Sequence, residues 1–539
     1  MPVLNVVRRN FFRDSIQLMR LSEDAKRLPG VLDAVVSMGT ETNKLLLSQL
    51  GLLMAEGRGA GDGDMVIALS VAQGADAEGT LAKVQQMVLS PPRSEAQGEE
   101  TETYHSVGSA LKRLPGTNIA IVSLPGNQAF GPSMELLERG VNVHLFSDHV
   151  SLEDEAKLKE YAHSNGLLLL GPGAGTSLLG GVGLGFANVV EKGSVGVVAA
   201  AGTGLQEVSV LLDGIGLGVS HGLGVGGSDV SKAIGGLMMR DCLSLLEKDK
   251  GTRTLMIVAK TPTASVMKSI MTFAQRNTSK PVVACFLGLG YRGGPGSRIR
   301  YAKTLHAAVS VVSQVSRGPA AKRFKSSISM SPIELVKLSE KLSKGLAKQQ
   351  RFCRGLYSGG TLAHETLLVY RELIGEAYSN SPLSPKFELK DPSTSKANCI
   401  VDLGDEYFTA GRPHPMIDPT IRRLRIVREA NDPTVAAILL DIVLGYGSSS
   451  DPGGSLVSAI EQAKQNAEGA KRGLVFMAHV CGTEADPQSL GDQKRKLSKA
   501  GVVLFPTNAQ MALASALLVG GAGARSAMKR KWRSLLAEN

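Results

Sequence analysis

Two glycine-rich turns in this sequence have the residue types to hold an anion. Gly202-Thr203-Gly204 follows the apolar run Val195–Ala200 and opens a helical stretch containing Gln206 and Glu207. Free N–H groups and the positive end of a helix dipole make such a turn an anion seat, and Thr203 adds a hydroxyl donor. Gly445–Ser455 (GYGSSSDPGGS), after the apolar run Val435–Asp441, offers a second seat with Ser448, Ser449 and Ser450 as donors and Ser455 as a candidate cap. Each turn can also be plain packing between a strand and a helix. Two seats in two similar blocks could instead face each other across one phosphate.

His414 stands between prolines in Gly411-Arg412-Pro413-His414-Pro415, with Asp418 four residues on. A histidine held stiffly beside Arg412 and Asp418 suits anion binding or acid–base work. The same residue can instead cap backbone carbonyls in its loop. Glu484, in Cys481-Gly482-Thr483-Glu484, can bind a cation or sugar hydroxyls, or cap a helix. No GxxxxGK[ST], HExxH or GxSxG occurs, which argues against a P-loop nucleotidase, a zinc protease and a serine hydrolase. No metal site is expected.

These turns need a scaffold, and the sequence repeats one. Apolar strands alternate with single amphipathic helices from Val31 to Leu518. Strands are read at Val31–Ser37 and Met65–Val71, then at Asn118–Ser123, Asn142–Phe146, Val195–Ala200, Thr254–Val258 and Pro281–Phe286. A later block runs from Phe352 through Ala397–Asp402, Val435–Asp441 and Leu474–Ala478 to Val502–Phe505. Strand–helix–strand order implies right-handed parallel crossovers, and strands apolar throughout imply helices on both faces. The expected class is α/β, with several doubly wound parallel-sheet domains.

The chain has 539 residues, room for about three to five domains. It carries 62 glycines, one Trp and 4% aromatics, a composition of tight turns more than of a β-sandwich. Five cysteines, none at CxxC spacing, point to a reduced compartment, and a cytoplasmic location is expected. The longest uncharged run, Tyr161 to Val190, contains Pro172 and eight glycines and reads as buried strands and turns, so no membrane span is expected. Arg8, Arg9, Arg13 and Arg20 lie in the first twenty residues, where Asp14 and the lack of a serine-rich run argue against a transit peptide. Part of the net charge of +11 is local: nine Lys/Arg between Arg317 and Arg351, and five among the last fifteen residues. No aromatics alternate with them, so nucleic acid is not the expected partner. A solvated linker and a basic tail are.

Several stretches resemble known proteins. Gly171–Thr176 (GPGAGT), Val195–Glu207, Gly224–Asp229 (GVGGSD) and Lys280–Gly288 are similar, in that order, to the α subunit of succinyl-CoA synthetase. Ile400–Gly404, Val435–Gly445 and Gly482–Glu484 resemble the ligase domain of its β subunit. With Phe12–Ser15, Met38-Gly39-Thr40, Asn43-Lys44, Gly355–Leu362 (GLYSGGTL) and Gly411–Pro419 (GRPHPMIDP), the whole resembles the FdrA family. The resemblance implies a Rossmann-like domain of the CoA-binding type and two flavodoxin-like domains of the CoA-ligase type. It places an N-terminal α/β domain and linker at 1–105 and the Rossmann-like domain at 106–192. The two ligase domains fall at 193–316 and 351–524, with a basic linker at 317–350 and a basic tail at 525–539. The synthetase phosphohistidine is replaced by Tyr301, its supporting glutamate by Lys260, and no ATP-grasp segment is present.

The implied activity is that of an oxamate carbamoyltransferase subunit, which splits oxalurate with phosphate into oxamate and carbamoyl phosphate. Inorganic phosphate is then a substrate, and CoA a further possible ligand. Partners are small anionic substrates, with partner subunits or a second copy. Gly202, Thr203, Gly204, Ser448, Ser449, Ser450, Arg298 and Asp418 would bind, and Lys260, Arg412 and His414 would act. The alternatives are an acyl-CoA synthetase borrowing a nucleotide-binding subunit, with His414 or His364 phosphorylated, and a non-catalytic assembly subunit.

Overall fold

The computed structural model describes residues 2–11, 13, 15–89, 103–289, 297–316, 319–409 and 412–537. The chain divides into two compact units, residues 1–103 with 403–421, and residues 104–402 with 422–539.

The smaller unit contains β1 (Val3–Arg8), α1 (Ser15–Lys26), β2 (Val31–Met38), α2 (Glu41–Gln49), α3 (Ala55–Arg58), β3 (Met65–Val71) and α4 (Ala77–Leu89). The sheet order is β1-β3-β2, with both pairings antiparallel. This departs from the parallel crossover expected of the first block. β1, absent from the strands read in the sequence, runs parallel to β2 through the α1 crossover, and β3 enters between them from the opposite direction. β3 takes the centre because it is the most apolar strand, with Met65–Leu69 and Val71 buried. One face packs Leu18, Ala34, Val36, Ile67 and Val84 together; the other packs Leu47, Leu52, Val66 and Ala68.

The larger unit starts with α5 (Val107–Arg113), β4 (Ile119–Val122), α6 (Gly126–Glu138), β5 (Asn142–Leu145), α7 (Leu152–Ser164) and β6 (Leu169–Leu170), a parallel three-stranded sheet. The uncharged run forms the hairpin β7 (Thr176–Leu179) and β8 (Val182–Gly185). Then follow β9 (Lys192–Ala200), α8 (Gly202–Gly214), β10 (Val219–Gly224), α9 (Leu237–Lys248), β11 (Thr254–Ala259), α10 (Ala264–Asn277), β12 (Val282–Phe286), β13 (Ile299–Ala302) and α11 (Leu305–Val315). These strands pair in parallel in the order β13-β12-β11-β9-β10, and the hairpin adds to β10 antiparallel.

The stretch expected as a basic linker is helical instead. It holds α12 (Ala320–Ser327) and α13 (Pro332–Ser343), the latter opened by a capping box between Ser331 and Glu334. Phe324 and Leu335 are buried, so the cations sit on the outer faces of packed helices. The second half then runs β14 (Phe352–Tyr357), α14 (Gly360–Leu373), β15 (Cys399–Asp402), α15 (Glu406–Thr409), which belongs to the smaller unit, α16 (Thr420–Ala430), β16 (Val435–Val443), α17 (Gly454–Gly469), β17 (Val475–Cys481), α18 (Leu490–Lys499), β18 (Val503–Phe505) and α19 (Asn508–Leu536). Its sheet is β15-β14-β16-β17-β18, all parallel.

Counted from the first strand of each half, both parallel sheets have the order 2-1-3-4-5, the flavodoxin-like arrangement. One core cluster runs through both halves, from Leu205 and Val208 on α8 through Leu362 and Leu367 on α14 to Ala512 on α19. The expected basic tail is the end of α19. Leu535 and Leu536 are buried there, and Thr304 Oγ1 donates to the carbonyl of Leu535 at 2.5 Å. By length and composition α19 could cross a membrane, but 56% of its most apolar window is buried within the fold.

Candidate functional site

Both halves place a turn of small residues at the same point of the sheet. Strand β9 ends into Ala201-Gly202-Thr203-Gly204 and α8; β14 ends into Ser358-Gly359-Gly360-Thr361 and α14. In a doubly wound sheet this carboxyl edge, where the strand order reverses, is where ligands bind. The two helix starts touch. Thr361 N–H donates to Thr203 Oγ1 at 3.3 Å, and a methyl at Gly204 would lie 2.9 Å from Thr361 Cγ2.

Asp441 on β16 fixes the second turn. Its carboxylate accepts from Ser358 N at 2.8 Å, Ser358 Oγ at 3.1 Å, Gly359 N at 2.7 Å and Arg422 Nη2 at 2.7 Å. Asp441 is fully buried and Arg422 nearly so, an ion pair whose lone pairs are filled by the turn it holds. The turn that meets Gly202–Gly204 is Ser358–Thr361 and not Gly445–Ser455. Its signal in the sequence is a Ser-Gly-Gly-Thr after an apolar strand.

The two helix starts differ in what covers them. A methyl at Gly360 would collide with the Asp402 carboxylate and stand 3.5 Å from Lys260 Nζ. The dipole end of α14 thus already has an anion from its own chain. Nothing lies within 4 Å of a methyl at Gly202, and no acceptor among the described residues takes the N–H groups of Gly202, Thr203 or Gly204. The start of α8 is the open seat. Strands β9 and β11 pair Ala200 with Ala259, so Gly202 and Lys260 leave the sheet on neighbouring strands.

The second seat expected from the sequence is filled. Asp451 accepts from Gly454 N at 3.2 Å, Gln493 Nε2 at 2.9 Å and Lys496 Nζ at 2.8 Å, covering the start of α17. Ser455 Oγ donates to Pro452 O and does not cap the helix. Tyr446 pairs with Ala187, Ser449 O accepts from Gln488 Nε2, and Ser448 Oγ is buried without a partner. Among the described residues no hydrogen bond ties Ser448, Ser449 or Ser450 to Gly202, Thr203 or Gly204. Arg298 is also misplaced by the expectation. It is exposed and precedes β13, whose first residue pairs with Val282, so it lies at the amino edge of the sheet. Gly202 lies at the carboxyl edge.

Beneath the two helix starts is a buried carboxylate pair at equivalent positions. Glu207, fully buried on α8, has Oε2 2.7 Å from His479 Nε2 on β17. Burial opposes the charged form of His479, but the Glu207 carboxylate outweighs it and raises the pKa above the usual histidine value. Glu365, fully buried on α14, accepts from Leu305 N at 2.7 Å and Asn508 Nδ2 at 2.8 Å. Burial pushes its carboxyl up to about 7, the Asn508 bond opposing and the Glu207 charge adding. His364, one turn into α14, is lowered to about 4 by burial, then by Lys260 and Arg371, and is neutral at neutral pH. Tyr301 lies half-buried on β13, packed against the other core cluster. The loop Gly294-Pro295-Gly296 before it lies outside the described residues.

Arg412, His414 and Asp418 belong to the smaller unit, whereas Gly202, Thr203, Gly204 and Lys260 belong to the larger one. Arg412 Nε donates to Asn43 Oδ1 at 2.6 Å, and burial lowers the guanidinium to about 10, with Asp418 opposing. Asp418 Oδ1 accepts from Thr420 N at 2.9 Å and Thr420 Oγ1 at 2.6 Å, and His414 Nδ1 accepts from Met416 N at 3.2 Å. Glu484 is exposed, beside Ser489 Oγ at 3.1 Å.

Uncharacterized protein YahF of Escherichia coli (strain K12) is 40% identical over 518 residues, which cover 95% of this chain and 98% of that protein. The chain belongs to the YahF family. A family model described as CoA-ligase matches residues 356–518, from the end of β14 into α19. The α subunit of succinate–CoA ligase (ADP-forming) from Methanothermobacter thermautotrophicus is 26% identical over 204 residues, 37% of this chain and 67% of its own. Among solved structures, the dinucleotide-forming acetyl-coenzyme A synthetase 1 of Ca. Korarchaeum cryptofilum, in complex with phosphate and ADP, is 19% identical. It covers 82% of this chain and 89% of that chain at a TM-score of 0.30. The fold is a CoA-ligase-like α/β fold, and the chain is a member of the superfamily that includes the succinyl-CoA synthetase α subunit.

A second model, described as AllF, heavy metal-associated domain, matches residues 1–104. The residues here do not fit a heavy metal. No cysteine precedes Cys242, and Arg9 to Asp14, the stretch between β1 and α1, holds two arginines and no histidine. Among the described residues no three His, Cys, Asp or Glu side chains gather. Soft thiolate or imidazole ligands are what such a site requires.

Proposed function

We propose that the chain is a subunit of a phosphate-dependent carbamoyl or acyl transferase, of the kind that the FdrA resemblance implies. Phosphate at the start of α8 attacks a carbamoyl carbon, as in oxalurate; the C–N bond to the leaving amide breaks, the proton of hydrogenphosphate passes to that nitrogen, and carbamoyl phosphate and oxamate leave. The observation that carries this reading is the contrast between two equivalent helix starts. Asp402 covers that of α14, while that of α8 keeps three N–H donors, open space at Gly202 and the Thr203 hydroxyl. Lys260, whose Nζ stands 3.5 Å from a methyl at Gly360, supplies a cation at the neighbouring helix start, so that charge developing in the transition state meets dipoles already in place. Tyr301 in the histidine's place supports a reaction without a phosphoenzyme. Relatives named as subunits, the succinate–CoA ligase α subunit and the sulfoacetate–CoA ligase subunit SauD of Bilophila wadsworthia, support the expectation of partner subunits.

Calorimetric titration of the full chain with inorganic phosphate tests the seat. Gly202→Val places a side chain in open space, so it should leave the fold intact and abolish phosphate binding. Phosphate binding equal to that of the unsubstituted protein would remove α8 from the reaction. The match to the CoA-ligase model favours a second reading, acyl-CoA ligation. Saturable binding of CoA with none of phosphate would select it.

A further inference from the structure

The two edges of the smaller unit's sheet, β2 and β1, are finished differently. Side chains blunt β2: Ser22 Oγ accepts from Val36 N at 2.8 Å, and Asn43 Nδ2 donates to Met38 O at 2.8 Å. On β1 the backbone bonds to β3, and among the described residues its one further partner is Asn5 Nδ2, which donates to Leu4 O at 2.8 Å. Such an edge offers N–H and C=O groups to another strand, and proteins block it with Lys, Pro or a bulge. The run Val3–Val7 contains none of these, and its pairing with β3 is regular throughout. Its side chains are half-buried. Val3 and Val7 pack on the Leu47 and Leu52 side, whereas Leu4 and Val6, on the other face, belong to neither core cluster of the unit.

The order of residues along β1 selects the strand that fits. In an antiparallel ladder two opposed residues either both exchange backbone bonds or both do not, so a two-fold axis falls on a residue and not between two. With the axis on Asn5, Val3 faces Val7 of a second copy and Leu4 faces its Val6, apolar against apolar on both faces. Asn5 meets its own copy with its amide already filled by Leu4 O, Leu52 O and Met54 N. Arg8, the one charge on the strand, falls opposite Pro2, which has no N–H to lose. An axis on Val6 would instead set Leu4 against Arg8 and Asn5 against Val7, and one on Leu4 would carry Val6 past the end of the other strand. Val-Leu-Asn-Val-Val reads nearly alike in both directions, which pairing with an unlike strand would not require.

We propose that β1 is a self-association edge. Two copies of the chain pair β1 with β1, antiparallel about an axis through Asn5, and join two three-stranded sheets into one of six. The contact is made by the smaller unit and does not rest on the phosphate reading.

The test is sedimentation of the full chain over a range of concentrations. Six residues a side is small beside the roughly 20–30 of a standard interface, so a dimer should form at high concentration and dissociate on dilution. Leu4→Lys/Val6→Lys sets ammonium against ammonium across the ladder and should be monomeric throughout. Leu4→Glu/Val6→Lys sets carboxylate against ammonium in this register and should restore the dimer. Melting curves of both variants, matched to the unsubstituted chain, show that the unit is folded; neither position lies in a core cluster. A monomer at every concentration for the unsubstituted chain would overturn the proposal. So would a dimer that survives Leu4→Lys/Val6→Lys, since the contact would lie elsewhere, and so would a folded Leu4→Glu/Val6→Lys that stays monomeric. Slow hydrogen exchange along β1 in a monomer would assign the edge to another part of the same chain, against the proposal.

Discussion

Glu365→Gln should change how stability depends on pH. A carboxyl whose folded-state pKa is raised holds its proton more tightly in the native protein than in the unfolded chain. It is neutral to stability below the unfolded value of 4.5 and destabilises progressively as pH rises from 4.5 to about 7. The full gap is worth roughly 3 kcal/mol at 1.36 kcal/mol per pH unit, and roughly 2.5 kcal/mol of it falls between pH 5 and pH 8. Glutamine keeps an acceptor for Leu305 N but cannot ionise. It loses the bond from Asn508 at about 1 kcal/mol, and that loss is independent of pH. Urea unfolding of both proteins, run at pH 5 and pH 8, isolates the ionisation. His479 also loses stabilisation as pH rises through its raised pKa, but it is present in both proteins and cancels in the difference. The variant should gain roughly 2–3 kcal/mol on the unsubstituted protein between the two pH values. A difference that stays constant, or that grows in the unsubstituted protein's favour, would refute the claim that Glu365 is held protonated by burial.

Four further outcomes follow from named contacts. His479→Phe leaves Glu207 buried without a cation and should cost about 3–5 kcal/mol, read from urea midpoints at neutral pH. Asp441→Ala strands Arg422 and the N–H groups of Ser358 and Gly359; a similar loss is expected, together with faster hydrogen exchange at Ser358 and Gly359. Lys159→Met removes the one cation bonded to both Glu155, at 2.8 Å, and Asp229, at 2.9 Å. It should destabilise the larger unit by about 3–5 kcal/mol at pH 7, with part recovered at pH 4, where Glu155, whose pKa burial raises, takes up a proton. All five cysteines are free and buried, and burial raises every thiol, Cys353 to about 12; a thiol-reactive dye should label none in the native protein and all in denaturant.

Most of the α/β scaffold was legible because its signals are local. Apolar runs at Val195–Ala200 and Val435–Asp441 are fully buried strands, and a burial pattern that continuous needs helices on both faces wherever it occurs. Gly202-Thr203-Gly204 was legible as a helix start for the same reason: small residues after a strand leave N–H groups unpaired whatever lies around them. Local patterning could not show that Val3–Arg8 is a strand, because Asn5 and Arg8 interrupt its alternation and only the pairing with β3 makes it one. It could not show that the basic stretch at 317–350 is helical packing either, since charge reports the solvent face and not the buried one.

Which candidate turns are open was decided by the tertiary structure alone. An anion seat is a competition between a helix start and the nearest carboxylate, which at α14 is remote in sequence and at α17 is local but held in place by remote side chains. Asp402 reaches Gly360 from another strand, while Asp451 covers Gly454 and is itself held by Gln493 and Lys496. Among the described residues no carboxylate stands within 4 Å of a methyl at Gly202. Arg298 follows the same rule, since its distance from Gly202 is set by the register of parallel strands and not by its place in a motif. The sequence by itself determined the fold class, the repeated strand–turn–helix unit and the absence of P-loop, zinc-protease and hydrolase motifs. The packing determined the pairing of α8 with α14, the buried partners Glu207 and His479, and the folding of residues 403–421 into the N-terminal unit. Helix propensity and strand pattern act over a few residues, whereas a buried charge is settled by whichever partner the whole chain brings within about 3 Å.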